Sequence, residues 1–224
     1  MSETELNDDV ANQIAAVPIR RDRPLIVSDA DEVLVHFMAG FEDFLASRDL
    51  YFTWESYRLS GNIRRRDTDD ALEGPEIGGL IEAFFVEYVD VLTPVEGAAE
   101  ALSALSQRAQ IVVLSNVPFA QRDRRRRWLA RHGIGYPLVA NIGAKGPAVR
   151  ELAARTAAPA YFIDDSPRNH HTVARDAGHV CRVHFVADAR LARLLAPAPD
   201  SHHRADNWPA ARALIEADLA AQGY

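Results

Sequence analysis

Residues 24–37 read PLIVSDADEVLVHF, an apolar run that ends in a group of acids. The apolar residues at the start of this stretch are typical of the end of a buried β-strand. Three acidic side chains follow within four positions, namely Asp29, Asp31 and Glu32. Carboxylates this close together repel one another, so the sequence indicates that a positively charged group binds where this strand ends.

Length and charge restrict the class of protein. The chain has 224 residues, 48% of them hydrophobic and 25% charged, which is enough for one α/β domain with a small insertion. Its formal net charge of -7 argues against general binding to nucleic acid or to membrane surfaces. No apolar run approaches the roughly 18 residues of a membrane span.

The cysteine content and the N-terminus indicate the compartment. The single cysteine, Cys181, excludes an internal disulfide and is typical of a reducing environment. The acidic N-terminus lacks the features of a targeting peptide, and residues 1–22 are predicted to form a loose arm or a short helix. We therefore expect a cytoplasmic protein whose partner is a small molecule, with neither nucleic acid nor membrane as a partner.

Apolar strands alternate with helical segments, which predicts an α/β fold: a Rossmann-like parallel sheet with helices on both faces. After the strand near 24–29, further strands are predicted at 110–116, 138–143, 160–165 and 179–186. Right-handed crossovers bring the C-terminal ends of such strands to one edge of the sheet, where these folds bind ligands.

Polar residues follow the predicted strands, and we expect them to meet at this edge. Four carboxylates there would repel strongly, since unit charges about 4 Å apart interact by about 4 kcal/mol at an effective dielectric constant of 20. Oxygen ligands of this kind are those that Mg²⁺ prefers, and a metal together with a lysine would let a phosphate approach. The residues concerned are Asp29, Asp31, Ser115, Asn116, Lys145, Asp164 and Asp165.

The order of these motifs resembles the haloacid dehalogenase-like superfamily, which is dominated by magnesium-dependent phosphatases. The resemblance covers residues 24–188 and rests on four motifs in their expected contexts. They are Asp29-Ala30-Asp31 at the end of the first strand, Ser115 at the end of VVLSN, Lys145 near a helix start, and Asp164-Asp165 at the end of FIDD.

This resemblance implies roles for the acids. Asp29 would be the nucleophile that forms an aspartyl-phosphate, and Asp31 would protonate the leaving alcohol and then activate water. Mg²⁺ would be held by Asp29, by the main-chain carbonyl of Asp31, and by Asp164 with Asp165.

The resemblance also implies how the phosphate is bound. Ser115 would donate a hydrogen bond to the phosphoryl oxygens, Asn116 would help to orient the site, and Lys145 would offset the charge on Asp29 and the phosphate. One position departs from the family pattern, because Glu32 stands where a glycine is common.

Residues 37–90 show helical periodicity, which glycine and proline break into several short helices, and resemble the small α-helical cap of the superfamily. The core would then comprise residues 23–36 and 91–224. Trp54, Tyr57 and Arg58 are the candidates in this segment for facing a substrate, and Arg58 is predicted to contact it. The arginines at 64–66 invite an anion-binding interpretation, although a solvated face is favoured.

Three functions remain open at this point. The favoured one is magnesium-dependent hydrolysis of a small phosphate monoester. The alternatives are a non-catalytic binding or regulatory module of the same fold, to which Glu32 points, and a hydrolytic dehalogenase, which the acid set fits less well. The basic segment 122–127 is interpreted as a solvated helix, and the pair His170-His171 as structural. The tail 187–224 either packs on the core or contacts a second copy in a homodimer.

Overall fold

The structure is a computed structural model that describes residues 5–224; the first four residues of the predicted arm lie outside this range. No helix within the described range is long and apolar enough to cross a membrane. A short 3₁₀ turn lies at Phe119–Gln121. In chain order the elements are α1 (Asp8–Ala16), β1 (Leu25–Ser28), α2 (Phe37–Ala46), β2 (Leu50–Phe52), β3 (Ile63–Arg65), α3 (Gly74–Tyr88), α4 (Ala98–Leu105), β4 (Gln110–Ser115), α5 (Arg122–Arg131), β5 (Leu138–Ala140), α6 (Gly146–Ala153), β6 (Ala160–Asp164), α7 (Pro167–Asp176), β7 (Cys181–Phe185), α8 (Ala189–Leu194), β8 (His203–Ala205) and α9 (Trp208–Ala221).

The main sheet has six strands in the order β5-β4-β1-β6-β7-β8. All of its strand pairs are parallel, and Leu25 of β1 lies beside Gln110 on one side and Ala160 on the other. This confirms the predicted Rossmann-like α/β fold. The chain adds strands on one side of β1 and then on the other, which places a ligand-binding crevice at the carboxyl ends of β4, β1 and β6.

Alternate residues of β1 supply two separate apolar cores. Leu25 and Val27 pack in a core with buried residues of α1, α6 and α7, whereas Ile26 packs in a core with α4, α5, α9 and the segment 37–90. Both faces of the strand are therefore covered, which explains why its sequence is a continuous apolar run rather than an alternating one.

The N-terminal segment contains a docked helix, so the short-helix alternative is the one found. The Asn7 side chain accepts hydrogen bonds from the first turn of α1, and Val10 and Ile14 are buried. The Gln13 side-chain amide donates to the carbonyl of Ala140 at 3.2 Å and accepts from its N–H at 2.9 Å. This amide pairs with edge strand β5, so α1 covers one edge of the sheet.

The segment 37–90 has two helices, but the short helices expected between them are absent from the described structure. Instead β2 and β3 form an antiparallel pair, with Leu50 beside Arg65 and Phe52 beside Ile63. Asp49 adopts a left-handed φ of 54° just before β2, which reverses the chain after α2. Aromatic residues at 51 and 52 favour the extended conformation. The prediction of a purely helical cap segment was therefore wrong in this part.

The tail packs on the core, as one of the two alternatives for residues 187–224 predicts, and contact with a second copy stays a prediction. β8 extends the sheet beside β7, with Phe185 paired to Ala205. The buried indole of Trp208, at the start of α9, donates a hydrogen bond from Nε1 to the carbonyl of Val33 at 2.8 Å. The tail thereby contacts the loop that follows β1.

We predict that Trp208→Ala lowers the free energy of unfolding by about 3–5 kcal/mol, because it leaves a large cavity and removes the donor to Val33. Urea denaturation measures the change. Arg212→Ala on the same helix, where the side chain is 42% exposed, is the control and should shift the value by less than about 0.5 kcal/mol. Equal small losses in both variants would contradict the docking of α9.

Candidate active site

A cavity of about 250 Å³ opens at the carboxyl ends of β1, β4 and β6, between the sheet and the segment 37–90. It forms where the sheet topology places a crevice. The predicted site residues that line it are Asp29, Asp31, Asn116, Lys145 and Asp165.

A buried ion-pair cluster forms the floor of the cavity. Lys145 Nζ lies 2.6 Å from Asp29 Oδ1 and 2.8 Å from Asp164 Oδ2, and the lysine side chain is only 1% exposed. Lys145 reaches this position because it directly precedes α6. A Cβ on Gly146 would come within 2.4 Å of the Thr172 carbonyl oxygen, so only glycine allows α6 to approach α7 this closely.

Three carboxylates in this cluster fit a divalent cation. Asp29, Asp164 and Asp165 each offer an oxygen, and these atoms lie within 4.8 Å of one another. Asp164 is oriented by the N–H of Ser166 at 2.9 Å and by Asn169 Nδ2 at 3.0 Å. No group in residues 5–224 donates a hydrogen bond to the Asp165 carboxylate. One ammonium does not balance three carboxylates, and an all-oxygen donor set suits Mg²⁺.

Burial and like charge disturb the titration of this cluster. Burial, with further contributions from the charges on Asp164 and Asp31, raises the pKa of Asp29 to about 7 even though Lys145 opposes the shift. Burial and the charges on Asp164 and Asp29 raise the pKa of Asp165 well above its usual value. Burial lowers the pKa of Lys145, but the two neighbouring carboxylates outweigh it and raise that pKa. Excess negative charge at this floor therefore favours a bound cation.

The Asp31 side chain lies apart from the three-carboxylate cluster. Its Oδ1 is 2.9 Å from Arg125 Nη2, and Ser115 Oγ is 3.5 Å from Oδ2. The Arg125 side chain is fully buried, and its Nε and Nη1 have no hydrogen-bond partner in the described part of the chain. The ion pair fixes the orientation of the Asp31 carboxylate at the cavity wall.

Arg125 corrects the interpretation of residues 122–127 as a solvated helix. It is buried together with Trp128 and Leu129, and these three positions share one face of α5 at spacings of three and four. That spacing was visible in the sequence, and it could have identified Arg125 as the inward-facing member of the basic run.

Of the other three residues predicted to contact the substrate, one lines the cavity and two do not. Asn116 lines the cavity, but Ser115 is fully buried at the end of β4 and is absent from the lining. Arg58 is exposed and also absent from the lining, although its neighbours Tyr57 and Leu59 both belong to it. The roles assigned to Ser115 and Arg58 remain predictions, and the geometry favours Tyr57 and Leu59 as the contacts from this loop.

Two buried histidines, which the sequence did not single out as partners of the acids, hold the backbone of the acid pair. His170 Nε2 lies 2.9 Å from the Asp164 carbonyl oxygen, and His184 Nε2 lies 2.9 Å from that of Asp165. The two rings contact each other edge to face at a centroid distance of 5.3 Å. The N–H of Ala198 donates to His184 Nδ1 at 3.0 Å, which selects the neutral ring with its proton on Nε2.

Glu32 occupies a left-handed position, with φ of 60°, which explains why glycine suits this place. Its Oε1 accepts a hydrogen bond from Met38 N at 2.5 Å at the start of α2, and its Oε2 is buried without a partner among the described residues. Burial raises the pKa of Glu32 to about 7. The residue lines the cavity beside Asp31, so it adds a further acid to the site.

Comparison with known proteins identifies the fold. No protein-family model matches the sequence, and no curated protein matches it. A haloacid dehalogenase-like protein from Agrobacterium tumefaciens is 17% identical with a TM-score of 0.62, over 87% of this chain and 98% of that one. A haloacid dehalogenase-family hydrolase from Deinococcus radiodurans with bound phosphate and sodium is 19% identical with a TM-score of 0.55, over 89% and 98%. CbbY from Rhodobacter sphaeroides, in complex with xylulose-1,5-bisphosphate, is 17% identical with a TM-score of 0.52, over 82% and 94%.

These likenesses show that the chain has the haloacid dehalogenase-like fold, which confirms the resemblance drawn from its motifs. Sequence identities this low are evidence for a shared fold and for nothing more specific. The reaction has to be argued from the side chains of the site.

We predict that His184 makes the fold sensitive to acid. Burial lowers its pKa from 6.5 to about 4. Between pH 6.5 and pH 4, His184 is therefore protonated in the unfolded chain but neutral in the folded chain. Stability is therefore lost as the pH falls through this window, by about 2 kcal/mol from pH 7 to pH 5. His184→Gln keeps a donor for Asp165, and chemical denaturation at the two pH values should show this loss reduced by a similar amount.

The comparison with wild type is needed because Asp29 and Glu32, whose pKa values are raised, contribute the opposite slope in both proteins. His179→Gln replaces an exposed histidine and should keep the wild-type pH dependence. Identical pH dependence in wild type and His184→Gln would contradict the prediction.

Proposed function

We propose that this chain is a magnesium-dependent phosphohydrolase that cleaves a small phosphate monoester through an aspartyl-phosphate on Asp29. The observation that carries the proposal is the contact of 2.6 Å between Asp29 and the buried Lys145, inside a cluster of carboxylates at the floor of the cavity. Asp29 therefore lines a pocket that holds the Lys145 ammonium and also the carboxylate ligands for a metal cation.

The hydrogen bonds to Asp29 leave one of its oxygens available for attack. Oδ1 accepts from Lys145 Nζ at 2.6 Å and from the N–H of Ala30 at 2.6 Å, whereas Oδ2 accepts no hydrogen bond from the described residues. Oδ2 would attack phosphorus, the bond from phosphorus to the ester oxygen would break, and protonated Asp31 would give its proton to that oxygen.

The second half of the reaction restores the enzyme. Asp31 would take a proton from a water molecule, the water oxygen would attack phosphorus, and the bond to Asp29 would break to release inorganic phosphate. Lys145 would hold Asp29 in place through both steps. Mg²⁺ held by Asp29, Asp164 and Asp165 would offset the charge on the phosphoryl oxygens. The bound phosphate and sodium described for the Deinococcus protein support a site of this charge pattern.

Residues 37–90 would serve as the cap of this enzyme. They supply Phe37, Met38, Tyr57 and Leu59 to the cavity wall, opposite the acids supplied by the sheet. A wall of this kind excludes water from the reacting groups and contacts the leaving group.

A non-catalytic module that binds phosphate is the second candidate. Two observations favour it. Asp31, the proposed general acid, is already paired with Arg125, and the neighbouring Glu32 has a left-handed backbone conformation at a position where glycine is common in the family. The two candidates make different predictions for the nucleophile, because only the enzyme needs Asp29 to attack.

We predict that Asp29→Asn lowers the release of phosphate from an aryl phosphate in the presence of Mg²⁺ by at least about 10³-fold, because the amide is not a nucleophile. The matched control is Asp43→Asn, at an exposed position of α2, which should keep wild-type activity. Release that survives in Asp29→Asn would contradict the aspartyl-phosphate. No release from any protein, with phosphate still bound, would favour the binding module.

We predict that Mg²⁺ stabilises the protein through Asp165. At a concentration 100 times its dissociation constant, Mg²⁺ should raise the free energy of unfolding by about 2.7 kcal/mol, measured by thermal unfolding across a titration. Asp165→Asn should lose most of this effect, whereas Asp43→Asn should retain it. Equal stabilisation of all three proteins would show that the metal binds elsewhere.

A further inference from the structure

Part of the cavity wall is apolar. Phe37 and Met38 contribute from the start of α2, Leu59 from the loop before β3, and Leu191 and Leu195 from α8 and the residue after it. The acids and Lys145 lie at the sheet end. A phosphate bound at the sheet end would therefore place its ester group against mainly apolar side chains, with Tyr57 as the polar exception from the loop before β3.

The charges around this wall leave no place for a second anion. Lys145 is the only cationic side chain of residues 5–224 that lines the cavity, and it already contacts Asp29 and Asp164. Glu32 and Asp31 both lie in the lining. An acidic group on the ester side would be buried near carboxylates without a counter-charge, which is strongly unfavourable.

The arginines of the cap segment do not change this balance. Arg58 lies outside the cavity lining. Arg64 Nη1 donates to the Asp69 carbonyl at 2.9 Å, and Arg65 Nη2 lies 2.5 Å from Glu76 Oε1. The run at 64–66 is thus directed to the outer side of the cap segment rather than to the substrate.

The volume sets the size of the ligand. About 250 Å³ is below the range of about 300–1,000 Å³ that is usual for pockets of drug-sized molecules. A phosphate fills part of this space, so the ester group that remains is small.

We propose, building on the phosphohydrolase function above, that the site selects phosphate monoesters with a compact, uncharged and largely hydrocarbon leaving group and rejects esters with a second anionic group. A bisphosphate, such as the ligand named for CbbY, is a poor fit for this cavity. The apolar wall provides the selection, and the acids beside it provide the rejection.

The test compares two esters of equal size, para-carbamoylphenyl phosphate and para-carboxyphenyl phosphate, with phenyl phosphate as the reference. We expect kcat/KM for the carboxylate to be at least about tenfold lower than for the carbamoyl ester, since only the former buries a second charge. Phenyl phosphate should be used at least as well as the carbamoyl ester. Equal values for the neutral and the charged ester would overturn the proposal.

A cation introduced into the apolar wall should reverse the preference. Leu59→Lys is expected to raise the relative use of the carboxylate ester by about tenfold. Tyr57→Lys, at a lining position that is 44% exposed and thus tolerant of change, should shift it in the same direction. Val91→Lys, at a surface position outside the lining, is the control. An unchanged preference in both lining variants would overturn the assignment of the wall.

Binding separates this inference from the proposed function. Isothermal titration with para-carbamoylphenylphosphonate and para-carboxyphenylphosphonate, in the presence of Mg²⁺, needs no turnover. Tighter binding of the neutral phosphonate supports the selection even if no ester is hydrolysed. Absence of hydrolysis would refute the phosphohydrolase function but not the selection. Hydrolysis without discrimination, accompanied by equal binding, would refute the selection alone.

Discussion

The buried ammonium of Lys145, held between Asp29 and Asp164, is the interaction on which the site depends. Each of the three comes from a different element: the end of β1, the end of β6 and the residue before α6. Ions buried this deeply cost several kcal/mol each to desolvate, and removal of one partner typically costs 3–5 kcal/mol. The positions of β1, β6 and α6 are therefore coupled to the charge balance of the site, and a ligand that alters this balance acts on all three.

The rest of the architecture holds this floor in place. His170, His184 and Asn169 fix the acid pair from behind through hydrogen bonds to its backbone and side chains. The segment 37–90 shares an apolar core with Ile26 of β1, and polar contacts add to this packing. Arg190 of α8 lies 2.7 Å from Glu42 of α2, and its guanidinium stacks at 3.9 Å over the Trp54 ring.

The parallel sheet and its acids were predictable because both follow from local patterns: continuous apolar runs at β1, β4 and β6, each ended by polar residues. What could not be predicted depends on the tertiary structure. β8 has three residues and becomes a strand only beside β7. The capping of Met38 N by Glu32 joins residues across a loop whose turn the sequence does not specify. Of the candidates in the loop before β3, Tyr57 lines the cavity and Arg58 does not, because packing sets the direction of this loop.

The proposed function requires that Asp29 carries the phosphoryl group during turnover. The most direct measurement is acid quenching of the wild-type protein a few milliseconds after it is mixed with an aryl phosphate and Mg²⁺, followed by peptide mass spectrometry. We expect a phosphoryl group on the peptide that contains Asp29, dependent on Mg²⁺ and removed when the quenched sample is treated with hydroxylamine. Steady release of phosphate with no phosphoryl group on that peptide at any quench time would contradict it.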